Sequence, residues 1–232
     1  MIAQTPLHLH GIDVPIGSND VSPVIWQALT DGSYEAKEAR QVPDCIEAGD
    51  RILELGTGIG VITTLMARMP DVRIWSFDAD PVTIALARRV ADANGVNNVT
   101  FAQGLLSPGA PATHTFYIRD DFWMSSLSKV QGPYRATMEM QSMDIDGFLM
   151  RNAINVLVMD VEGAERDILG RSGLPGVDRI VLELHDHLYG LTGVRDLFDA
   201  MHRKGYAYDP RGSSGPCVLF RKDDGGIRPY QG

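Results

Sequence analysis

A glycine cluster between an apolar strand and an amphipathic helix constrains this chain more than any other feature. Residues 51–55, RILEL, predict a short buried strand, and the cluster GTGIG at 56–60 follows it directly. Apolar residues then recur at helical spacing from Val61 to Met69, and Pro70 ends that helix. Glycine lets the backbone turn sharply and approach a ligand without a Cβ in the way. The pattern therefore predicts a strand, a ligand-binding turn and a helix.

The same alternation of strand and helix continues along the chain. Two strands at the C-terminal end follow one another without a helix between them, and residues 103–143 are irregular, with extra strands around a loop. Further strands are predicted at 72–77, 99–102, 155–159, 178–184, 206–210 and 216–220. Strands that alternate with helices form mostly parallel sheets covered on both faces. We therefore expect an α/β fold with a doubly wound, Rossmann-like sheet, mostly parallel with an antiparallel edge.

Composition and net charge argue against several classes of protein. The chain has 232 residues, 44% hydrophobic and 22% charged, as in ordinary globular domains. No apolar run approaches the ~20 residues that span a bilayer, and no secretory signal is visible. Two cysteines without metal-ligand spacing favour reduced thiols and a cytoplasmic location. A net charge of -9 repels a phosphate backbone, so we expect no nucleic-acid partner and no membrane span.

The residues around the glycine cluster separate two classes of nucleotide cofactor. Asp78 closes the next strand, where a carboxylate accepts hydrogen bonds from a ribose diol. The dinucleotide pattern GxGxxG needs a third glycine where this chain has Val61, and a pyrophosphate disfavours an acid such as Glu54 beside the turn. S-adenosylmethionine carries a sulfonium and an ammonium, which a nearby carboxylate attracts. The pattern therefore favours the methyl donor over NAD.

Residues that directly follow the strands converge on one edge of such a sheet, where ligands bind. We expect the cofactor to contact Glu54, Gly56, Thr57, Gly58, Gly60, Asp78, Ala79, Gln103 and Gly104. The alternative for the glycine cluster is a tight turn that serves packing alone, with Asp78 solvated.

The chain resembles the class I methyltransferases, and within them the FkbM family. The segments that carry the resemblance are FDADP at 77–81, SSL at 125–127, VMDVEGAE at 158–165 and LELH at 182–185, and similarity extends over about 34–200. The resemblance implies a Rossmann-like methyltransferase sheet. It also implies methylation of a hydroxyl on a small molecule, such as a sugar, a glycolipid or a secondary metabolite.

The resemblance further implies cofactor contacts from outside the strand ends. Tyr34 or Glu38 is expected to reach the methionine end, although an amphipathic helix with a charged outer face is the alternative. Ser126 is expected to border the pocket, although a purely polar loop also explains it. The residue pattern together with this resemblance predicts an N-terminal hairpin and helical cap at 1–48, an S-adenosylmethionine-binding methyltransferase domain at 49–222 and a loose tail at 223–232.

Acidic and imidazole side chains follow the two strands nearest the expected methyl group. Asp160 is our first choice for the base or for the group that orients the acceptor hydroxyl, and Glu162 is the second. Both would alternatively cap the next helix. His185 is a further candidate base, or else a loop histidine without a ligand. With the two acids it would suit a hard cation, so a divalent metal stays open but is not predicted. Glu165 is expected to be an exposed acid of the first helical turn.

Three functions stay open from the sequence. The leading one is an S-adenosylmethionine-dependent O-methyltransferase. The others are a nucleotide-cofactor oxidoreductase on the same sheet and a binding module that has lost turnover. The acceptor and the oligomeric state are left undetermined by the sequence.

Overall fold

The computed structural model of the protein describes residues 6–229, and twelve strands and seven helices lie within that range. Residues 1–5 and 230–232 lie outside it, and with them the start of the predicted N-terminal region and the end of the predicted tail. The division of the chain into three regions stays a prediction.

The secondary-structure elements follow the predicted order. The strands are β1 Leu7–Leu9, β2 Ile12–Val14, β3 Arg51–Leu55, β4 Arg73–Asp78, β5 Val99–Gln103, β6 Leu105–Ser107, β7 Thr113–Ile118, β8 Ala136–Asp144, β9 Val156–Met159, β10 Arg179–Glu183, β11 Tyr206–Tyr208 and β12 Cys217–Lys222. The helices are α1 Pro23–Asp31, α2 Glu38–Gln41, α3 Val61–Met66, α4 Pro81–Ala93, α5 Ile145–Arg151, α6 Glu165–Arg171 and α7 Asp186–Arg203.

Seven strands form the central sheet in the order β11-β12-β10-β9-β3-β4-β5. The strands from β10 to β5 are parallel to one another, whereas β12 is antiparallel to both β10 and β11. The predicted α/β class and the antiparallel edge are therefore confirmed. The chain begins this sheet in the middle, at β3, builds outward through β4 and β5, and returns to β9 on the other side. This reversal between β3 and β9 opens a crevice at the carboxyl ends of the strands.

Alternate residues of each inner strand enter different halves of the core. Ile52 of β3 lies beside Ile74 of β4 on the face covered by α1 to α4, and both are fully buried. Leu53 lies beside Trp75 on the opposite face, with α5 to α7. Successive side chains of a strand point to opposite faces, so a strand buried on both sides is apolar throughout. This explains why the inner strands lack the alternation of polar and apolar residues.

Local signals start the helix that follows β4. Asp80 accepts a hydrogen bond from the N–H of Val82 at 2.8 Å, and Pro81 occupies the first helical position. Both features are typical of helix N-termini, and they follow Asp78 directly. The position of Asp78 at the end of the strand is therefore set by the local sequence.

The predicted N-terminal hairpin is also present. β1 and β2 pair in antiparallel register, with His8 opposite Asp13. Asn94, at the end of α4, joins the hairpin to the main domain, because its side chain bonds both the N–H and the carbonyl of Asp13 at 3.0 and 2.7 Å. The hairpin, α1 and α2 share one apolar core cluster with β3 and β4.

A second, three-stranded sheet of order β6-β8-β7 extends the domain over the carboxyl edge. β6 pairs in parallel with β8, so Leu105 lies opposite Ser142, and β7 pairs with β8 in antiparallel register. The sequence predicted extra strands in this region but not this pairing, because residues far apart in the chain form it.

The loop between β7 and β8, residues 119–135, is called the insert loop below. Buried Arg119 anchors it through the backbone carbonyls of Tyr117, Met124 and Ser128, at 3.3, 3.0 and 2.8 Å. These bonds fix the path of the loop over the end of the sheet.

Within the described residues, no helix combines the length and the apolar character needed to cross a bilayer.

Gly56 marks the closest approach of two strand ends. Its φ is +88°, and a Cβ at this position would lie 1.7 Å from the backbone oxygen of Asp160. We expect Gly56→Ala to lower the free energy of unfolding by about 3 kcal/mol or more, since backbone must move to admit the methyl group. Gly95→Ala is the matched control, because it has a φ of +68° with no atom within 4 Å of the added Cβ. Urea unfolding measures both; equal losses would contradict the prediction.

Candidate active site

A cavity of about 850 Å³ lies at the carboxyl ends of β3, β4 and β9. The predicted site residues that line it are Tyr34, Gly56, Gly58, Asp78, Ala79, Gly104, Ser126, Asp160 and Glu162. A neighbouring cavity of about 460 Å³ shares Gly56 and Asp160 with the first and is lined by the predicted residues Glu38, Glu54 and Thr57.

Asp78 lies at the turn where the glycine loop meets β4. Its carboxylate accepts hydrogen bonds from the N–H of Gly58 at 3.1 Å and of Asp80 at 2.9 Å. Burial raises the pKa of Asp78 to about 6, although these bonds oppose the shift. The carboxylate both holds the glycine loop and borders the cavity, as a ribose contact requires; the contact itself stays a prediction.

Glu54 lies beneath the glycine loop. It is 2% exposed and accepts hydrogen bonds from the hydroxyls of Thr63 at 2.6 Å and Ser76 at 2.5 Å. Burial raises its pKa to about 7. The Thr57 hydroxyl is hydrogen-bonded to the Ser76 hydroxyl at 2.5 Å and so belongs to the same group.

Gly60, predicted to contact the cofactor, lines neither cavity. It packs against α4, where an added Cβ would lie 2.9 Å from Ala87.

The end of the cavity near β5 is mostly apolar. Gly104 and Ala79 line it beside Leu105 and Phe116, as expected for an adenine pocket. Gln103, predicted to contact the cofactor, lines neither cavity; it is exposed, and its amide donates to the Ala79 carbonyl at 3.1 Å.

The N-terminal region closes the cavity from above. Tyr34 is buried, and its ring stacks on Trp123 of the insert loop with centroids 6.0 Å apart. In the same loop, Ser126 lines the cavity while its hydroxyl accepts from the N–H of Ser128 at 3.2 Å and donates to Gln131. Gln131 in turn donates to Glu162 at 2.6 Å. The loop therefore forms a wall that contacts the carboxylates.

Glu35 is a site residue that the sequence analysis did not select. It lines both cavities, and its Oε2 atom is buried without a hydrogen-bond partner. Burial and the negative charge of Asp160 raise its pKa well above the ordinary range. Its neighbour Glu38 lines the second cavity, where it accepts a hydrogen bond from the Cys217 thiol at 2.8 Å. The only sequence signal for Glu35 was its position between Tyr34 and Glu38, which an amphipathic helix also explains.

The predicted catalytic residues lie together at the end of β9 and β10. Nε2 of His185 is 3.4 Å from Oδ1 of Asp160 and 3.7 Å from Oε1 of Glu162. Burial raises the pKa of Glu162 to about 7, although His185 opposes the shift. The alternative of helix capping is not supported, because no side chain caps α6, which begins after Ala164.

His185 is buried and carries two carboxylate partners. Its Nδ1 atom is 2.8 Å from Oε1 of Glu165. Burial alone would lower its pKa, but hydrogen bonds with Asp160 and Glu165 outweigh that effect and raise it to about 11. An imidazole that is already protonated cannot take a further proton, so this geometry does not support His185 as the base. The prediction that Glu165 is exposed is wrong, because that side chain is 1% exposed.

Among the described residues, one group of side chains has the spacing of metal ligands. One potential ligand atom from each of Asp160, Glu183 and His185 lies within 4.8 Å of the others. Because carboxylates already engage both nitrogens of His185, we assign no metal to this group.

A comparison with known families agrees with this geometry. A family model described as the methyltransferase FkbM domain matches residues 56–208. The chain belongs to this family. The matched region is therefore a methyltransferase domain, and the predicted family is confirmed. The match decides against the oxidoreductase alternative.

Similarity to individual proteins is lower. A ribosomal protein L11 methyltransferase from Chloroflexus aurantiacus is 30% identical over 78 residues, which are 33% of this chain and 23% of that protein. The crystal structure of Trm5b from Pyrococcus abyssi superposes with a TM-score of 0.53 at 14% identity, over 95% of this chain and 56% of that one. An rRNA methylase from Streptococcus thermophilus gives a TM-score of 0.45 at 12% identity, over 79% and 92%. The structural likeness shows the fold alone.

The prediction that excluded a nucleic-acid partner is wrong. It depended on the net charge of -9, yet two relatives similar to this chain are named ribosomal protein L11 methyltransferases, and the chain shares its fold with Trm5b. Net charge averages over the whole surface and does not describe the mouth of a site. The acceptor class therefore has to be tested without that exclusion.

The buried carboxyl of Glu54 predicts a pH dependence of stability. Its pKa is about 7 in the folded chain and ordinary in the unfolded chain, so the folded state retains the proton longer. Stability from this group therefore falls as the pH rises from about 4.5 to about 7. We expect Glu54→Gln to remove on the order of 1–3 kcal/mol of the decrease in unfolding free energy between pH 5 and pH 8. Glu139→Gln is the control, because Glu139 is an exposed residue of β8. Urea unfolding at both pH values measures the two variants and the wild type. Identical pH dependence in Glu54→Gln and the wild type would contradict the prediction.

Proposed function

We propose that this methyltransferase transfers the methyl group to a hydroxyl of a small molecule, held between the insert loop and the carboxylates Asp160 and Glu162. The observation that carries the proposal is the cavity itself. One end is apolar, the middle borders Asp78 and the glycine loop, and the other end presents two acids beneath an aromatic wall. We also propose that the protein acts in the cytoplasm, as the sequence analysis expects.

The residues present fit the charge of S-adenosylmethionine. The Oε2 atom of Glu35 is buried without a hydrogen-bond partner, and Asp160 adds negative charge close by. An unpaired buried acid is costly unless a cation or a proton compensates it. The cofactor supplies a positively charged sulfonium that carries the transferable methyl group, and its ammonium adds a second charge. We assign Glu35 and Glu38 to the methionine end, Asp78 to the ribose, and Ala79 and Gly104 to the adenine.

Glu162 is the better candidate for the proton acceptor. A general base works best when its pKa lies near the operating pH, and the pKa of Glu162 is about 7. Asp160, whose side chain is 44% exposed, then orients the acceptor hydroxyl toward the methyl group. The sequence analysis preferred Asp160 as the base and Glu162 as the second choice. We reverse that order because burial in the fold raises the pKa of Glu162. Much of the rate enhancement in such a site comes from holding the two reactants in line and excluding water.

The insert loop supports an acceptor of limited size. Phe122, Trp123 and Leu127 line the cavity from the loop, and Tyr34 packs against Trp123. Aromatic side chains in this position favour a sugar or another ring with apolar faces.

A labelled-methyl assay tests the proposal directly. Hydroxylated small molecules, including sugars and phenols, are compared with total RNA and with ribosomal proteins as acceptors. Label on the oxygen of a small molecule is the expected result. Label on RNA or on a protein amine, with none on the small molecules, would replace the proposed acceptor class.

Removing the negative charge of Glu35 should weaken binding of the methyl donor. We expect Glu35→Gln to raise the Kd for S-adenosylmethionine about 10- to 100-fold, since a charged partner of a buried cation is lost. Glu139→Gln is the control, and isothermal titration calorimetry measures both. An unchanged Kd in Glu35→Gln would remove Glu35 from the cofactor site.

The proposed base predicts the pH profile of turnover. In the wild type, kcat should rise as the pH increases through about 7, because Glu162 must lose its proton to accept another. We expect Glu162→Gln to abolish this limb and lower kcat about 100-fold or more, while Kd for the donor stays close to the wild-type value. A retained limb in Glu162→Gln would assign the base elsewhere.

A further inference from the structure

A buried carboxylate and imidazole lie directly behind the acids of the cavity. Glu165, at the start of α6, faces Nδ1 of His185 at 2.8 Å, and both side chains are buried. Neither lines the cavity, whereas Asp160 and Glu162 do. Any effect of this pair on the chemistry must therefore pass through the two cavity acids.

Hydrogen bonds fix both members of the pair from a second side. The other carboxylate oxygen of Glu165 accepts from the N–H of Gly163 at 2.9 Å, and the N–H of His185 donates to the Tyr189 hydroxyl at 2.8 Å. Since Nδ1 of the imidazole faces Glu165, Nε2 points the opposite way, toward Asp160. The ring therefore has one orientation, and its second N–H is aimed at the cavity floor.

Acidic groups surround the imidazole on several elements. The titratable groups near it are Glu165 on α6, Asp160 and Glu162 after β9, Glu183 on β10, and Asp186, His187 and Tyr189 at the start of α7. A protonated ring has an N–H on both nitrogens, so one donates to Glu165 while the other faces Asp160 and Glu162 at ion-pair distance.

Stability is a weak reason to keep such a pair. Burying two charges costs desolvation that their attraction often fails to offset. Apolar residues already dock α6, because Ile168 and Leu169 are buried in the core on this face of the sheet. In addition, Glu162 has a φ of +48°, a left-handed conformation that a non-glycine residue rarely adopts. The backbone is thus strained where the carboxylate enters the cavity beside His185.

We propose that Glu165 is a positioning residue for methyl transfer. It holds the His185 imidazolium so that Nε2–H is directed at Asp160 and Glu162, and this sets both carboxylates toward the acceptor. The inference rests on the proposed function of these two acids. A buried acid that fixes the orientation of a histidine, which then acts on a third group, is a recurring arrangement in enzymes.

The test compares two substitutions on α6 in the full chain. Glu165→Gln removes the buried charge with little change in volume. Asp167→Asn is the matched control, because Asp167 lies on the same helix, is exposed, and pairs only with Arg171 among the described residues.

Two readouts separate positioning from a purely structural role. In Glu165→Gln, we expect the ¹⁵N signals of His185 at neutral pH to change from imidazolium values to those of a neutral ring. We expect kcat to fall about 10- to 100-fold, the effect of losing a partner that orients a functional group, while Kd for the donor stays within about twofold. Asp167→Asn should match the wild type in both readouts.

The opposite result would overturn the inference. If His185 keeps its imidazolium signals and kcat in Glu165→Gln equals that of Asp167→Asn, the pair only fastens α6 to β10. If Glu165→Gln does not fold, Glu165→Asp decides the question, since it keeps the charge but draws the carboxylate back. A lower kcat with an intact imidazolium in Glu165→Asp supports positioning, and an unchanged kcat contradicts it.

The NMR measurement needs no acceptor, so it separates this inference from the proposed function. Wild-type protein that labels no hydroxyl would refute the proposed acceptor class. The dependence of the His185 signals on Glu165 would still be measured in the same samples.

Discussion

The contact between the ends of β3 and β9 is the constraint on which the rest of the structure depends. The N–H of Asp160 bonds to the carbonyl of Leu55 at 2.9 Å, and Gly56 turns away immediately afterwards, with no room for a side chain. The N–H of Gly56 bonds to the carbonyl of Phe77, also at 2.9 Å, which joins the end of β4 to the same point. Backbone hydrogen bonds therefore join the ends of β3, β4 and β9 at one point of the sheet edge. Because of this, the carboxylate that follows β4 and the acids that follow β9 face one cavity.

The site concentrates negative charge in a small volume. Burial, together with the negative charge of Asp160, raises the pKa of both Glu162 and Glu183 to about 7. Such a group of acids repels itself unless cations compensate it. His185 supplies positive charge beside these acids, and the family's methyl donor brings positive charge of its own. The acidic net charge of the chain is thus partly a property of the site and says little about which acceptor approaches it.

Short-range sequence patterns were sufficient to predict the framework of this fold and part of the site. The strand, glycine loop and helix around Gly56 follow from short-range patterns, as does Asp78 at the end of its strand. The burial of Glu165 could not be read from the sequence, because an acid in a first helical turn is normally exposed. It is buried against His185, which follows β10 and lies 20 residues further along the chain. The role of Glu35 was equally hidden, since its environment arises only when the N-terminal region folds over the sheet.

The anchoring of the insert loop has a consequence for how such an enzyme diversifies. Arg119 bonds to backbone carbonyls, and every residue type possesses a carbonyl. These anchoring bonds are therefore independent of the side chains of Phe122, Trp123 and Leu127, which line the cavity. Evolution, or a designed library, can exchange these three positions to suit a new acceptor while Arg119 preserves the scaffold. The donor half of the cavity, built on separate strands, would be inherited unchanged.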